Sequence, residues 1–493
     1  MALTASAMAW ELGTNLTNSP ECCNILQKAG LANVYLPGDE TYAAQISSYW
    51  SVSVQLHPYC IVQPETTADV STTITTLVEE TNCKFAIRSG GHSSNPGANN
   101  IEKGVTIDLS RMNTTTLSPT GDTVSILPAA RWGQVYQYLD AQNRGIPGGR
   151  LGAVGVGGLV TGGGLSFYVN RQGLVCDNVR NFEAVLASGE VVDANATHNR
   201  DLFTALKGGS SNFGVVTRID IDTFPTSPIW GGERTYPVAQ AEYFYPVMVD
   251  WTNNIEEYQN GSALVFLYHE SLRNETLIHG VYTDVSGTVA APAFDKFLAI
   301  PGHTSSNLGM TNMSTLSRAS QAPGYRRRDV WFTVTFKNDE RVIKKAVDLH
   351  NSLVEELKQE SSDGDFIMQA FFQPFPTVIG KHSAEKGGNI AGIDAIDENA
   401  IVMLGSLAVN GADQEVMGRE KMLAWKDVVE GYSESIGAGV SFRYSNYADR
   451  SQDVLRSYGE DNVRKMWDVS KKYDPEGVFQ TRAPGGFRLP TDL

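Results

Sequence analysis

Apolar positions recur along this chain with two different spacings, and the switch between them predicts its elements. Val70, Ile74, Leu77 and Val78 fall at i, i+4, i+7 and i+8 behind the Pro64-Glu-Thr-Thr67 turn, the pattern of an amphipathic helix. Short apolar runs flank it: one from about Val62, then Cys83–Arg88, Val105–Leu109 and Thr123–Leu127 read as strands. Trp132 to Leu139 predicts a second helix, and Val185 to Val192, with Ser188-Gly189 inside it, predicts a hairpin. Phe224-Pro-Thr-Ser-Pro228 then breaks the pattern. Beyond the break, Ser262–Tyr268 and Val330–Phe336 alternate as strands, and Arg341–Lys358 reads as a helix.

In Phe366-Ile-Met-Gln-Ala-Phe-Phe-Gln373 a period of two puts Ile367, Gln369, Phe371 and Gln373 on one face. Two amides and an aromatic ring suit a wall facing a substrate. They equally suit a solvent-facing edge, with Phe366, Met368, Ala370 and Phe372 turned to the core. Arg326-Arg-Arg328 reads as a solvated face.

A chain of 493 residues is too long for one ordinary core, so two domains are expected. The net charge of −16 argues against nucleic acid and anionic membranes as partners. No apolar run is long enough to span a bilayer. Six glycosylation sequons begin at Asn15, Asn113, Asn195, Asn260, Asn274 and Asn312. Four of the five cysteines, Cys22, Cys23, Cys60 and Cys83, crowd into the N-terminal sixth, which suits one or two staples. Both features favour a secretory or extracellular setting, although Met1 to Ala9 lacks the basic and apolar regions of a secretion signal. His57 reads as a loop histidine, and no cluster has metal-ligand spacing, so no metal is expected.

Candidate chemistry begins at Arg88-Ser-Gly-Gly-His92, which places a histidine after a tight glycine turn at the end of a strand. Adjacent glycines let a backbone approach an anionic group closely, and Arg88 and Ser93 add polar side chains. From Gly145 to Gly164, ten of twenty residues are glycine, and in the core that runs on to Phe167 the glycines alternate with Leu, Val and Phe. That composition suits a backbone packed over an elongated ligand better than disorder. Neither loop has the Gly-x-Gly-x-x-Gly or Gly-x-x-x-x-Gly-Lys-Ser/Thr spacing of the common nucleotide sites.

Five motifs in order carry a resemblance. They are Arg88–His92, the Gly155-Val-Gly-Gly158 to Gly162-Gly-Gly164 run, Asp201–Thr217, Tyr444-Ser-Asn-Tyr-Ala-Asp449, and Tyr473-Asp-Pro-Glu-Gly-Val-Phe479. Together they resemble the FAD-linked oxidases of the vanillyl-alcohol oxidase type, in the berberine-bridge-enzyme-like branch with its PCMH-type FAD-binding domain. The resemblance implies an α+β fold. Residues 1–228 would form an FAD-binding domain, 229–439 an inserted substrate domain whose antiparallel sheet roofs the flavin, and 440–493 a segment returning to the first domain.

The resemblance also implies FAD attached covalently through His92. A second, cysteinyl link found in part of the branch would fall at Leu151, and no cysteine lies between Cys83 and Cys176, so a single link is expected. Arg88, Ser89, Gly90, Gly91, His92, Ser93, Val154, Gly155, Gly157, Gly158, Gly162, Gly163, Gly164, Val216, Asn446 and Tyr447 are the implied cofactor-binding residues. Asn212–Val216 would be a strand against the nucleotide portion, although for Phe213 and Val215 a plain buried strand serves as well. Tyr447, or less favourably Tyr444, would be the catalytic base. Their separation would put them on opposite faces of a strand, and a carboxylate in the roof stays open as the base. Asp449 reads as structural. Gln369, Phe371 and Gln373 would meet the substrate.

The activity so implied is hydride transfer from a small hydrophobic metabolite to FAD, with molecular oxygen reduced to hydrogen peroxide by a monomeric enzyme. An oxidative cyclase, a carbohydrate oxidase and a flavin-fold binding protein without turnover are the alternatives.

Overall fold

The computed structural model describes residues 20–319 and 326–491. The Met1–Ala9 segment and the Asn15 sequon lie outside the described residues. Of the described residues, no helix is long and apolar enough to cross a membrane.

The helix expected after Pro64 forms over Thr67–Glu80. Thr66 Oγ1 accepts from the Asp69 N–H at 3.1 Å while Asp69 Oδ2 accepts from the Thr66 N–H at 3.0 Å. This reciprocal cap satisfies two amides that the first turn would leave open. Val70, Ile74 and Leu77 are buried against a four-stranded sheet ordered Val34–Tyr35, Cys60–Val62, Val105–Asp108, Phe85–Arg88. Disulfides Cys22–Cys83 and Cys23–Cys60 tie the helix Glu21–Lys28 to this layer, and Cys176 is free and buried.

A second, antiparallel sheet is ordered Thr115–Leu117, Thr123–Ile126, Val215–Asp222, Val179–Val185, Val191–Asn195. Its hairpin pairs Val185 with Val191 around Gly189, whose φ of +80° favours glycine. The strand expected from Asn212 begins only at Val215. Ser210–Asn212 forms a 3-10 turn instead, because the Asn212 amide bonds the carbonyls of Gly209 and Phe487 and holds the backbone in a turn.

The third sheet draws all its strands from 229–440 and is antiparallel throughout. Its order is Ser305–Ser306, Ile229–Pro237, Glu275–Asp284, Gly261–Glu270, Phe366–Phe375, Ala400–Val409, Arg328–Lys337, Gly439–Val440, with Gly309–Thr311 also paired to Ile229–Pro237. Side chains alternate across it. Val265, Leu267, Val330, Phe332, Met368, Ala370 and Phe372 join one core, to which the helices Ala241–Asn254, Glu340–Glu360 and Ala412–Ser435 contribute. Leu264, Phe266, Gln369, Phe371, Leu404 and Ser406 point the other way and line a cavity.

Two expectations need correction. Phe366–Phe375 is a central strand between Gly261–Glu270 and Ala400–Val409, so its amide face is no solvent-facing edge. In Arg326–Arg328, Arg327 pairs with Asp365 at 2.9 Å and Arg328 with Glu415 at 2.7 Å, so these two guanidiniums staple the sheet rather than face water.

Candidate active site

One cavity of about 510 Å³ runs from the glycine loops to the third sheet. The two loops cross within it. A Cβ on Gly90 would sit 2.5 Å from the Gly155 nitrogen, and a Cβ on Gly155 would sit 2.6 Å from the Gly90 Cα. Only two glycines permit that approach. A Cβ on Gly158 would meet nothing within 4 Å, so that backbone is bare towards the cavity it lines. These features fit an elongated cofactor laid along main-chain atoms.

His92 lines the same cavity, its ring stacked on Trp50 at 4.7 Å with 13° between the planes. Burial first, and the nearby positive charge of Arg131 second, push the imidazole down to about 4. At neutral pH the ring is therefore uncharged, with one ring nitrogen holding a lone pair. Trp50 also meets Trp331 edge-on at 5.2 Å, and Trp331 meets Tyr447 at 6.1 Å. Aromatic rings thus join His92 to the far wall.

Residues 444–447 form a turn closed by the Tyr447 N–H donating to the Tyr444 carbonyl at 3.0 Å, not the expected strand. Both rings consequently line the cavity, packed edge-to-face at 4.8 Å. Their hydroxyls differ. Tyr444 Oη accepts from the Leu165 N–H at 2.8 Å and the Asn446 amide at 3.1 Å, and burial raises its phenol far above the usual range. It is a poor base and a good buttress, which corrects its candidacy. Tyr447 Oη instead accepts from the Arg150 guanidinium at 2.8 Å and donates to Gln373 Oε1 at 3.4 Å. Arg150 also bonds Gln373.

Ser89, Gly90, Gly91, His92, Ser93, Val154, Gly155, Gly157, Gly158, Val216, Asn446, Tyr447, Gln369 and Phe371 all line this one cavity. Five other expected residues do not. Arg88 is buried behind its loop, bonding the Gln45 carbonyl and Ser48, lying 3.8 Å from Asp108 and stacking on Tyr49. Its charge holds the loop rather than facing a ligand. Gly162 packs on Asn446, while Gly163 and Gly164 turn with φ of +103° and +86°. Gln373 sits behind Tyr447, bonded to Arg150. Leu151, the position expected for a second link, lines the cavity, whereas Cys176 does not. Asp449 is held by Arg419 at 2.6 Å.

Sequence reasoning missed Arg150, Trp50, Trp331 and the roof pair Glu233 and His279. His279 Nδ1 lies 2.7 Å from Glu233 Oε1, and both residues line the cavity. The one available signal was Arg150, a lone cation in an otherwise apolar glycine run.

A family model described as an FAD binding domain matches residues 58–195. The chain is 38% identical over 479 residues to the FAD-dependent monooxygenase drtC of Aspergillus calidoustus, covering 95% of this chain and 90% of that protein. It is 37% identical over 477 residues to the FAD-dependent monooxygenase sdcF of Emericella nidulans, covering 96% and 99%. Among solved structures, the BBE-like 1 protein of Physcomitrella patens superposes with a TM-score of 0.77 at 19% identity, covering 95% of this chain and 99% of that one. Relatives and fold agree with the α+β architecture: the chain belongs to the family of FAD-dependent oxidoreductases that includes these two relatives, and its fold is that of the BBE-like 1 protein.

Proposed function

We propose that the protein oxidises a small, largely apolar organic molecule, with FAD held covalently by His92 and electrons passed to molecular oxygen. When bound, FAD supplies a hydride acceptor. The rest is the chain's own work. The crossed loops at Gly90 and Gly155 offer main-chain N–H groups to the cofactor. His92, uncharged and braced by Trp50, has the lone pair that a covalent link requires. Tyr447 takes the substrate proton as the hydride leaves, acting as its phenolate, and the guanidinium donating to its oxygen stabilises that phenolate before the transfer. Gln369 and Phe371 contact the substrate from above. In this reading residues 1–228 and 440–493 hold the cofactor, and 229–439, which supply the sheet over the cavity, hold the substrate.

The observation that carries the reading is one cavity holding an uncharged His92 between two crossing glycine loops and a Tyr447 hydroxyl bonded by Arg150. A second reading comes from the relatives called monooxygenases: one atom of oxygen would enter the product. Turnover under ¹⁸O₂ separates the two. With a two-electron donor added in parallel assays, stoichiometric peroxide with unlabelled product supports the oxidase, a labelled product with water as the other fate of oxygen supports the monooxygenase, and a flavin that neither substrate nor added donor turns over contradicts both.

A further inference from the structure

We propose that Arg150 selects the substrate: its unspent N–H donors dock a carbonyl oxygen, so the protein acts on a ketone oxidised a few bonds from that carbonyl. The inference rests on the reading of this cavity as the substrate site of an FAD enzyme and names the substrate class. A guanidinium presents five N–H donors in a rigid plane and stays charged throughout the range in which proteins are folded. Both hydrogen bonds of Arg150 leave from Nη2, one to Tyr447 Oη at 2.8 Å and one to Gln373 Oε1. Those two acceptors pin one corner of the plane. Nε and Nη1 bond no polar atom of the described residues, although Arg150 lines the cavity and is only half-buried. Three of the five donors therefore remain for a ligand.

The surroundings choose the acceptor. Among the described residues lining the cavity, Arg150 is the only arginine or lysine and Glu233 the only carboxylate, and Glu233 lies 2.7 Å from His279 instead. One cation thus serves the site, and its charge already stabilises the Tyr447 phenolate. A ligand carboxylate would set a second negative charge on it and lose water in a cavity walled by Leu151, Val154 and Trp331. A neutral carbonyl takes the same donors without that charge, and a hydrogen bond from an ionised donor is roughly twice as strong as a neutral one. The carbonyl also serves the chemistry. Held by Nε and Nη1, it lies beside the tyrosine oxygen bonded to Nη2, so a neighbouring substrate hydroxyl can reach Tyr447. In a hydroxyketone the hydroxyl proton passes to Tyr447, the carbinol hydrogen leaves as hydride to FAD, and the new C=O completes a dicarbonyl.

The test is calorimetric titration of the flavin-loaded protein with acetophenone and with α-methylstyrene, in which a methylene group replaces the carbonyl oxygen. Arg150→Met should weaken acetophenone by about tenfold or more, the scale of a hydrogen bond from a charged donor, and leave α-methylstyrene within about twofold. Infrared spectra of ¹³C=O-labelled acetophenone need no variant to fold: on the unaltered protein the stretch should fall below its value in water. Benzoate should bind more weakly than acetophenone. Equal loss of both ligands in Arg150→Met, a carbonyl stretch no lower than in water, no acetophenone binding at about 10 mM, or tighter binding of benzoate would each overturn the proposal. A purified protein without flavin absorbance would instead sink the parent reading, whatever the acetophenone result.

Discussion

The guanidinium of Arg150 donates to the phenol oxygen of Tyr447 across 2.8 Å, joining the second glycine loop to the C-terminal turn. The two residues are 297 positions apart, so the contact exists only once the chain has closed on itself. It gives one of two neighbouring tyrosines a charged donor, while the other is spent on Leu165 and Asn446.

From this contact, Tyr447→Phe should leave FAD bound and slow anaerobic flavin reduction by roughly two to four powers of ten. Arg150→Met should slow the same step by about a hundredfold, the scale of losing one charged donor to an active-site oxyanion, here the Tyr447 phenolate that must exist before the transfer. Reoxidation by oxygen should change little in either. Tyr444→Phe should act on stability instead, at about 1–3 kcal/mol, because it strips the buried Leu165 N–H of its acceptor. Stopped-flow reduction and urea unfolding read the two effects separately. Near-normal reduction in Tyr447→Phe would make that phenol a wall and move the base to the roof.

The crossing of Gly90 and Gly155 predicts a packing failure with a flavin readout. An added methyl at either position runs into backbone, which cannot turn aside as a flexible side chain would. Gly90→Ala and Gly155→Ala should each lower stability by about 1–3 kcal/mol and reduce the FAD-to-protein absorbance ratio. Gly158→Ala meets no protein atom, so it should keep the fold while lowering flavin content. Unchanged flavin loading in all three would contradict the assignment of these loops to the cofactor.

The glycine loops were readable because close backbone approach has one chemical solution, and ten glycines among twenty residues declare it. The Thr67–Glu80 helix and the 185–191 hairpin were readable for a similar reason: capping, periodicity and turn residues are local. What escaped was non-local. Glu233 and His279 meet across two strands 46 residues apart, and nothing in either neighbourhood announces the pairing. Arg88 looked like a ligand for an anionic group because it adjoins the Gly90-Gly91 turn, yet the side chain turns back to Ser48 and Tyr49. Tyr444 and Tyr447 were assigned to opposite faces because a strand was assumed, and a turn brings both to one side.

His350 supplies a pH prediction away from the site. It is fully buried beside Trp425, and burial pushes its imidazole down to about 4. In the unfolded chain a histidine titrates near 6.5, so between these values the unfolded state binds a proton that the folded state does not. Stability is thus retained above about pH 6.5 and falls as pH drops towards 4. His350→Gln should remove about 2 kcal/mol of the loss between pH 7 and pH 5, seen as a smaller shift of the urea midpoint. An identical shift in the variant would mean that His350 takes up its proton while folded.

The two disulfides close segments whose ends are 61 and 37 residues apart, both anchored in the first sheet. Cys23→Ser with Cys60→Ser should cost about 2–4 kcal/mol in unfolding free energy, chiefly by freeing the unfolded chain. The flavin cavity should survive at low temperature, because neither cysteine lines it. Retained stability with loss of flavin would reverse that assignment.

The covalent link through His92 is tested most directly by mass spectrometry of the flavin-bearing peptide after acid precipitation and digestion. Yellow colour should stay with the precipitate, the FAD mass should ride on the peptide that contains His92, and His92→Ala should abolish that adduct while leaving a folded protein. Colour released wholly to the supernatant, or an adduct on any other residue, would contradict the link.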